Sequence, residues 1–110
     1  MKKVIVFGGA GFLGRYIVRD LVRKKYKVKV FDKKKINFKD KNISCIIGNI
    51  SNLSQVIKAV KGSSYVFNLA GISDIGESIK NPIGTVNINI LGTVNILEAS
   101  RLVGVKKIIF

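Results

Sequence analysis

Four of the chain's eleven glycines, Gly8, Gly9, Gly11 and Gly14, fall within seven positions between the apolar run VIVF and a stretch of helical spacing. Glycine inside a regular element costs roughly 0.5–1 kcal/mol against alanine, so such a cluster needs a steric or functional reason. Two templates fit. Gly9-x-Gly11-x-x-Gly14 is a dinucleotide-type fingerprint, and Gly8-x-x-Gly11-x-x-Gly14 is a related spacing. In either, Gly8 or Gly9 turns sharply out of a strand, Gly11 lets main chain approach a pyrophosphate, and Gly14 lets the helix pack on the sheet. The helix start then presents free N–H groups and about half a positive charge to an anion.

Around this cluster the chain alternates short β-rich runs with helical patterns. KVIVF (3–7), KVKVFD (27–32), ISCIIG (43–48), SYVFNLA (64–70) and KKIIF (106–110) are strand candidates, short and β-branched. Most are almost continuously apolar, as strands buried on both faces are; the second alternates polar with apolar and is expected nearer an edge. Helices are expected over 11–24, 52–62 and about 82–103. The second has Leu53, Val56, Ile57 and Val60 on one face, Asn52 as N-cap, Gln55 as its capping-box partner and Gly62 as terminator. The third starts with Asn81 as cap and Pro82 at the first helical position, and Gly104 follows its end. Its Thr, Asn, Val and Ile content is poor for an isolated helix, so packing must hold it.

Strand–helix–strand units with short links and right-handed crossovers give an α/β fold: a Rossmann-type open parallel sheet of order 3-2-1-4-5, helices on both faces. Ligands of such sheets bind beyond the carboxyl ends of the strands at the switch point, here between strands one and four. With 110 residues the chain is one domain at most.

The formal charge of +14 invites a nucleic-acid reading. Twelve of the twenty basic residues lie between Arg15 and Lys41. Arg15, Arg19 and Arg23 fall at i, i+4, i+8, a solvent-facing stripe opposite Leu13, Ile17 and Leu21. DKKKINFKDK reads as a charged loop. No aromatic residues interleave at stacking spacing, and no zinc, helix-turn-helix or RNP-type signature is present, so a solvated basic face is favoured over attraction to an anionic small molecule, and no nucleic-acid partner is expected. No uncharged apolar run of membrane length and no cleavable leader is visible, which points to a cytoplasmic chain with no membrane partner. There is no histidine, and Cys45 is the single cysteine, so neither a metal cluster nor a disulfide framework is available. Cys45 in ISCIIG is expected as a buried structural thiol.

Asp32, at the end of the second strand and 21 residues beyond Gly11, is placed to accept hydrogen bonds from adenosine ribose hydroxyls and to repel a 2′-phosphate. Lys33, Lys34, Lys35 and Arg15 act the other way, since any of them could pair with such a phosphate. NAD is the expected cofactor, with NADP possible.

GGAGFLG, the acidic strand end, GNIS, VFNLAGISDIGESIKNP and NINILGTVNILEASRLVGVKKIIF together resemble successive blocks of the extended short-chain dehydrogenase/reductase family, the nucleotide-sugar epimerases and dehydratases. The resemblance covers nearly the whole chain, and AGISDIGESIKNP is most similar to the UDP-glucose (UDP-galactose) 4-epimerases. It implies that Phe12 and Leu13, with Gly8, Gly11 and Gly14, meet the pyrophosphate and that Asp32 holds the adenosine ribose. Asn49 and Ile50 would lie by the adenine, Leu69, Ala70 and Gly71 beneath the cofactor, and Asn89 near its nicotinamide half. It further implies a nucleotide-sugar substrate and a homodimer through the 82–103 helix, whose Ile83, Val86, Ile88, Ile90, Leu91, Val94, Ile96 and Leu97 are more than packing on one sheet needs.

The sequence departs from the family at Phe7, where a threonine is usual, at Asn49, where an aspartate is usual, and at Ser73, where the epimerases carry a lysine. The family's Tyr-x-x-x-Lys pair, in which lysine and cofactor charge lower the tyrosine pKa, has no counterpart: Asp20, Val30 and Leu69 stand four residues beyond Tyr16, Tyr26 and Tyr65. The chain is therefore expected to be the amino-terminal cofactor-binding half, without a substrate domain and inactive alone. A non-catalytic NAD(P)-binding sensor of the same fold is the alternative.

Overall fold

The computed structural model describes residues 1–71 and 79–110. Ser73 and the rest of the ISDIGES stretch lie outside the described residues. Five strands, β1 (Lys3–Phe7), β2 (Lys27–Asp32), β3 (Ile43–Ile47), β4 (Tyr65–Asn68) and β5 (Lys107–Ile109), form one parallel sheet of order β3-β2-β1-β4-β5. The expected topology is the one observed. Between the strands run α1 (Phe12–Arg23), α2 (Leu53–Val60), α3 (Pro82–Val86) and α4 (Gly92–Val103), the last two joined by a π-helical segment, Asn87–Leu91.

Alternation along β1 divides the core. Val4 and Val6 pack with Val28, Val30, Val18 and Leu21 on the α1 side. Ile5 and Phe7 pack with Phe31, Val56, Val60, Val66, Ile96 and Ala99 on the side of α2 and α4. Both faces of β1 are thus covered, which is why its sequence is apolar without a break. Phe7 fills this second layer, its ring 5.0 Å from that of Phe31.

Several local expectations are modified. The buried stripe of α1 is Gly14, Val18 and Leu21, while Leu13 is exposed; Arg15, Arg19 and Arg23 do face solvent. β2 lies one strand in from the edge, between β1 and β3, the place the expected order gives it. Its alternation has another cause: Lys29 Nζ donates to Ala59 O at 2.7 Å and Lys61 O at 3.2 Å, so the cation sits at the carbonyl end of α2, where the helix carries partial negative charge. The edge strands are β3 and β5, and Cys45 on β3 is exposed, not buried; the 33–42 loop reaches it, its Sγ donating to Ile36 O at 3.4 Å. Asn81 caps α3 through Oδ1, which accepts from Gly84 N at 3.0 Å, with Pro82 in the first turn. Gly104 ends α4 in the left-handed conformation.

Candidate functional site: a cleft at the carboxyl ends of β1, β2 and β4

The crossover from β1 through α1 to β2 covers one face of the sheet and the later crossovers cover the other, so the loops after β1 and β4 part company. The gap they leave is a cleft of about 560 Å³, at the switch point of the sheet. Gly8, Ala10 and Gly11 form one wall, Asp32, Lys33 and Lys34 the second, Gly48 to Ser51 the third, and Leu69 to Gly71 the floor; Gly84, Asn87 and Ile88 close it from the helix side.

The glycine loop is held from within. Gly8 N donates to Phe31 O at 2.9 Å and Gly11 N to Gly8 O at 3.1 Å, closing a tight turn. Gly8 has φ +82°, and a Cβ there would stand 2.8 Å from Ala70 N and Leu69 C. A Cβ on Gly9 would come within 2.7 Å of Val30 Cγ1, and one on Gly14 would collide with Gly8 O. Gly8 is therefore the turning residue of the two candidates, while Gly9 and Gly14 permit close packing of loop and helix. Gly11 differs from all three. Its backbone is extended, at φ −72° and ψ 175°, and a Cβ would meet only Gly8 O, at an ordinary 3.4 Å. Nothing within the described chain requires a glycine there, yet it lines the cleft at the N-cap of α1, whose first turn no side chain caps.

Asp32 ties the two walls together. Its Oδ2 accepts from Ala10 N and its Oδ1 from Lys34 N, both at 3.0 Å. A carboxylate has about four acceptor positions, so two main-chain donors leave capacity for ligand hydroxyls. Arg15 Nε donates to Ala10 O at 3.1 Å, which commits this side chain to the loop. Asn49 forms a side-chain turn, Oδ1 accepting from Ser51 N at 2.9 Å. Gln55 does not complete the expected capping box: its main-chain N donates to Asn52 Oδ1 at 3.1 Å, but its Oε1 reaches further back, to Asn49 N at 2.9 Å. The helix start thereby braces the cleft's third wall. Ile50 is buried, and its carbonyl accepts from the buried Asn95 Nδ2 at 2.8 Å.

Of the residues singled out in the sequence, Gly8, Gly11, Asp32, Asn49, Ile50, Leu69, Ala70 and Gly71 are brought together around the cleft. Gly14 lies beneath the loop. Phe12 and Leu13 occupy the first turn of α1 with exposed side chains, 84% and 59%, so any contribution to the cleft comes from their main chain. Asn89 stands beside the floor rather than in the lining; its Oδ1 is 3.2 Å from where a Cβ on Gly71 would be. Asn87, which the sequence does not single out, and Ile88 join the lining; Ile88, expected with Ile96 on a dimer surface, meets the cleft instead, and Ile96 is fully buried in the core. The place of Asn87 and Ile88 depends on the π-helical segment, which no spacing in the sequence announces.

Residues 4–110 match the family described as NAD dependent epimerase/dehydratase. The chain belongs to this family. Within it, the chain is 34% identical over 108 residues to sterol-4-alpha-carboxylate 3-dehydrogenase, decarboxylating, of Mus musculus, covering 98% of this chain and 29% of that protein. It is also 34% identical over 113 residues to a putative UDP-glucose 4-epimerase of Methanocaldococcus jannaschii, covering 97% of this chain and 36% of the relative. Among solved structures, UDP-glucose 4-epimerase of Thermus thermophilus in complex with NAD superposes with a TM-score of 0.86 at 30% identity, over 98% of this chain and 36% of that one. The chain thus spans about a third of the length of the family members it matches, and the match extends across the whole Rossmann-type sheet. No helix of the described residues is long and apolar enough to cross a membrane, and no group of histidine, cysteine and carboxylate side chains among them could hold a metal ion.

Proposed function

We propose that the cleft binds NAD and that residues 1–110 are the cofactor-binding domain of a cytosolic epimerase or dehydratase acting on a nucleotide sugar. Gly11 carries the reading. A residue that needs neither the backbone freedom nor the space of glycine, set at an uncapped helix start on a cleft wall, fits a main chain kept bare for a close-lying ligand. The residues present suit a dinucleotide throughout. The main chain of Gly8, Gly11, Phe12 and Leu13 meets the pyrophosphate, Gly14 brings the helix dipole up to it, and Asp32 accepts from the ribose hydroxyls. Asn49 and Ile50 flank the adenine, Leu69, Ala70 and Gly71 lie under the middle of the cofactor, and Asn89 serves its far half.

NAD supplies reversible hydride acceptance at a sugar carbon. The chain's own task is binding and orientation. It offers no Tyr-x-x-x-Lys pair for proton transfer, so in this reading the acid–base residues and the sugar-nucleotide contacts belong to a domain outside residues 1–110, and these residues alone turn nothing over. The AGISDIGESIKNP stretch favours a nucleotide sugar over the sterol acid named for the Mus musculus relative. A homodimer through the helical run from Pro82 to Val103 completes the reading.

The test is calorimetric titration of NAD into the intact chain and its Gly11→Ser variant. Serine is at least as good an N-cap as glycine, so the variant keeps or gains a few tenths of a kcal/mol in stability. Its side chain occupies the bare main chain, so NAD binding falls by about tenfold or more, equivalent to roughly 1.4 kcal/mol. Wild-type protein that ignores NAD, or a variant that binds it equally well, overturns the proposal.

A further inference from the structure

The amino ends of the parallel strands lie away from the cleft, and there Tyr65, the first residue of β4, is held in a fixed position. Its ring packs against the core layer on the α1 side and meets the Tyr26 ring edge-on, with centroids 6.2 Å apart. Its hydroxyl oxygen accepts from Lys2 Nζ at 3.1 Å. A phenol has one hydrogen of its own to donate, and the described residues offer it no acceptor, so that hydrogen faces solvent beside the Lys2 ammonium.

Two further lysines act on the same hydroxyl from main chain that is fixed independently. Register pairs Tyr65 with Lys107, which sets the two side chains on one face of the sheet, about 5 Å apart at the backbone. Lys106 N donates to Ser64 O at 2.9 Å, which ties the preceding residue to the start of β4. The Lys2 hydrogen bond and the charges of Lys2, Lys106 and Lys107 together hold the Tyr65 hydroxyl below the usual phenol pKa. Every charge that acts on it is positive. The described carboxylates are engaged elsewhere: Asp20 with Lys24, Asp32 with the cleft walls, Asp40 with Asn42 N and Glu98 with Arg101.

We propose that the Tyr65 hydroxyl and the ammonium groups of Lys2, Lys106 and Lys107 form a binding site for a phosphate dianion, separate from the cleft. The donor set suits that ion. Phosphate offers oxygens on several sides, so one accepts the phenolic hydrogen and another a lysine while the remaining cations balance its second charge. Lysine serves as a point charge and needs no fixed angle, whereas the phenol, held by Tyr26 and the core, supplies direction. The cluster is open to solvent, so a phosphate group carried on a larger molecule fits it as the free ion does.

The experiment titrates inorganic phosphate and phenyl phosphate into the intact chain at about pH 8, with sodium chloride of equal ionic strength as the control for screening. Tyr65→Phe and Lys2→Gln/Lys107→Gln are compared with the wild type; the first removes only a hydroxyl and the second alters exposed side chains, so both keep the fold. By calorimetry the wild type binds phosphate, Tyr65→Phe about threefold more weakly and the double variant about tenfold or more. An optical readout reports on the site itself. The phenolate titration of Tyr65, taken as the absorbance difference between wild type and Tyr65→Phe, moves up by about half a pH unit or more in phosphate relative to chloride, because a bound anion opposes the lysines. Equal effects of the two probes assign the site to a phosphate group on a larger molecule, and an effect of inorganic phosphate alone assigns it to the free ion. A Tyr65 titration that is the same in phosphate as in chloride overturns the proposal, as does a double variant that binds phosphate like the wild type.

Discussion

Lys25 has φ 70°, the one non-glycine residue among those described in the left-handed region. It follows the C-cap of α1, where glycine is the usual choice because a Cβ there meets the following carbonyl at a cost of roughly 1–2 kcal/mol. Lys25→Gly is expected to stabilise the chain by about 0.5–1 kcal/mol, seen as a thermal midpoint raised by about 4 °C. The sequence RKKYK gives no sign of this strain, because strain depends on where the helix stops and not on composition. The glycine cluster shows the same boundary of legibility. That Gly8, Gly9, Gly11 and Gly14 shape a loop is plain from their spacing, whereas their division into one turning residue, two packing residues and one without an internal reason emerges only when each missing Cβ is placed. Cys45 departs from expectation for a related cause. An apolar run suggests burial, but on an edge strand one face escapes its helix, so the thiol is exposed. Partial cover of the sulfur by the neighbouring loop still pushes its pKa up, outweighing a main-chain hydrogen bond at Phe38 that pulls it down. The thiolate is the nucleophile, so labelling of Cys45 by a disulfide reagent at pH 7 should run slower than labelling of a free thiol and accelerate as pH rises past the ordinary thiol range. A rate already at its plateau near neutrality contradicts this assignment.

The helical run after residue 81 is where element-level expectation and structure part. Its caps are legible: Asn81 and Pro82 open it and Gly104 closes it. Its interior is not. Both α4 and the cleft depend on one contact region, in which Gly92 lies so close to Ile50 that a Cβ would collide with the isoleucine side chain. Three residues later Asn95 reaches the Ile50 carbonyl. With α4 anchored there and α3 held by its own cap, the turn between them widens to the π form. That widening sets Asn87 and Ile88 on the cleft wall, with Ser51 Oγ donating to Asn87 O at 3.4 Å. A spacing rule of 3.6 residues cannot foresee a local change of pitch. The anchor can be tested. Asn95→Leu keeps the branched four-atom shape of the side chain, at larger volume, but leaves the buried Ile50 carbonyl unpaired, a loss of about 1–3 kcal/mol in denaturant unfolding. Because Ile50 also lines the cleft, NAD affinity should fall in the same variant. A variant of unchanged stability sinks the claim that this hydrogen bond holds helix to cleft.

Sheet order is legible in full because apolar continuity, strand length and crossover handedness constrain one another across the entire chain. Surface function is less constrained, and the charge of +14 illustrates why. On the folded chain the arginines of α1 face solvent, whereas Lys33 and Lys34 meet the cleft and Lys29 caps α2, so one excess of charge divides into three physically different roles. The outer surface of the helical run raises the matter of assembly. Ile83, Val86, Ile90, Val94 and Leu97, spaced at three and four residues, are between 42% and 75% exposed along the run from α3 through α4. One continuous apolar stripe on a helical surface needs a cover, and a second copy offers a self-complementary one, in keeping with the homodimer proposed above. Replacing Ile90 and Val94 together by lysine places four like charges across such a two-fold contact while removing nothing from either core cluster. The wild type is then expected to sediment as a dimer at micromolar concentration and the double variant as a monomer. ADP binding in the cleft should stay unchanged within about twofold, since neither substituted residue lines it. A wild type that remains monomeric at high concentration by light scattering would refute the dimer while leaving the cleft intact, because the Rossmann-type sheet closes its binding site within a single chain.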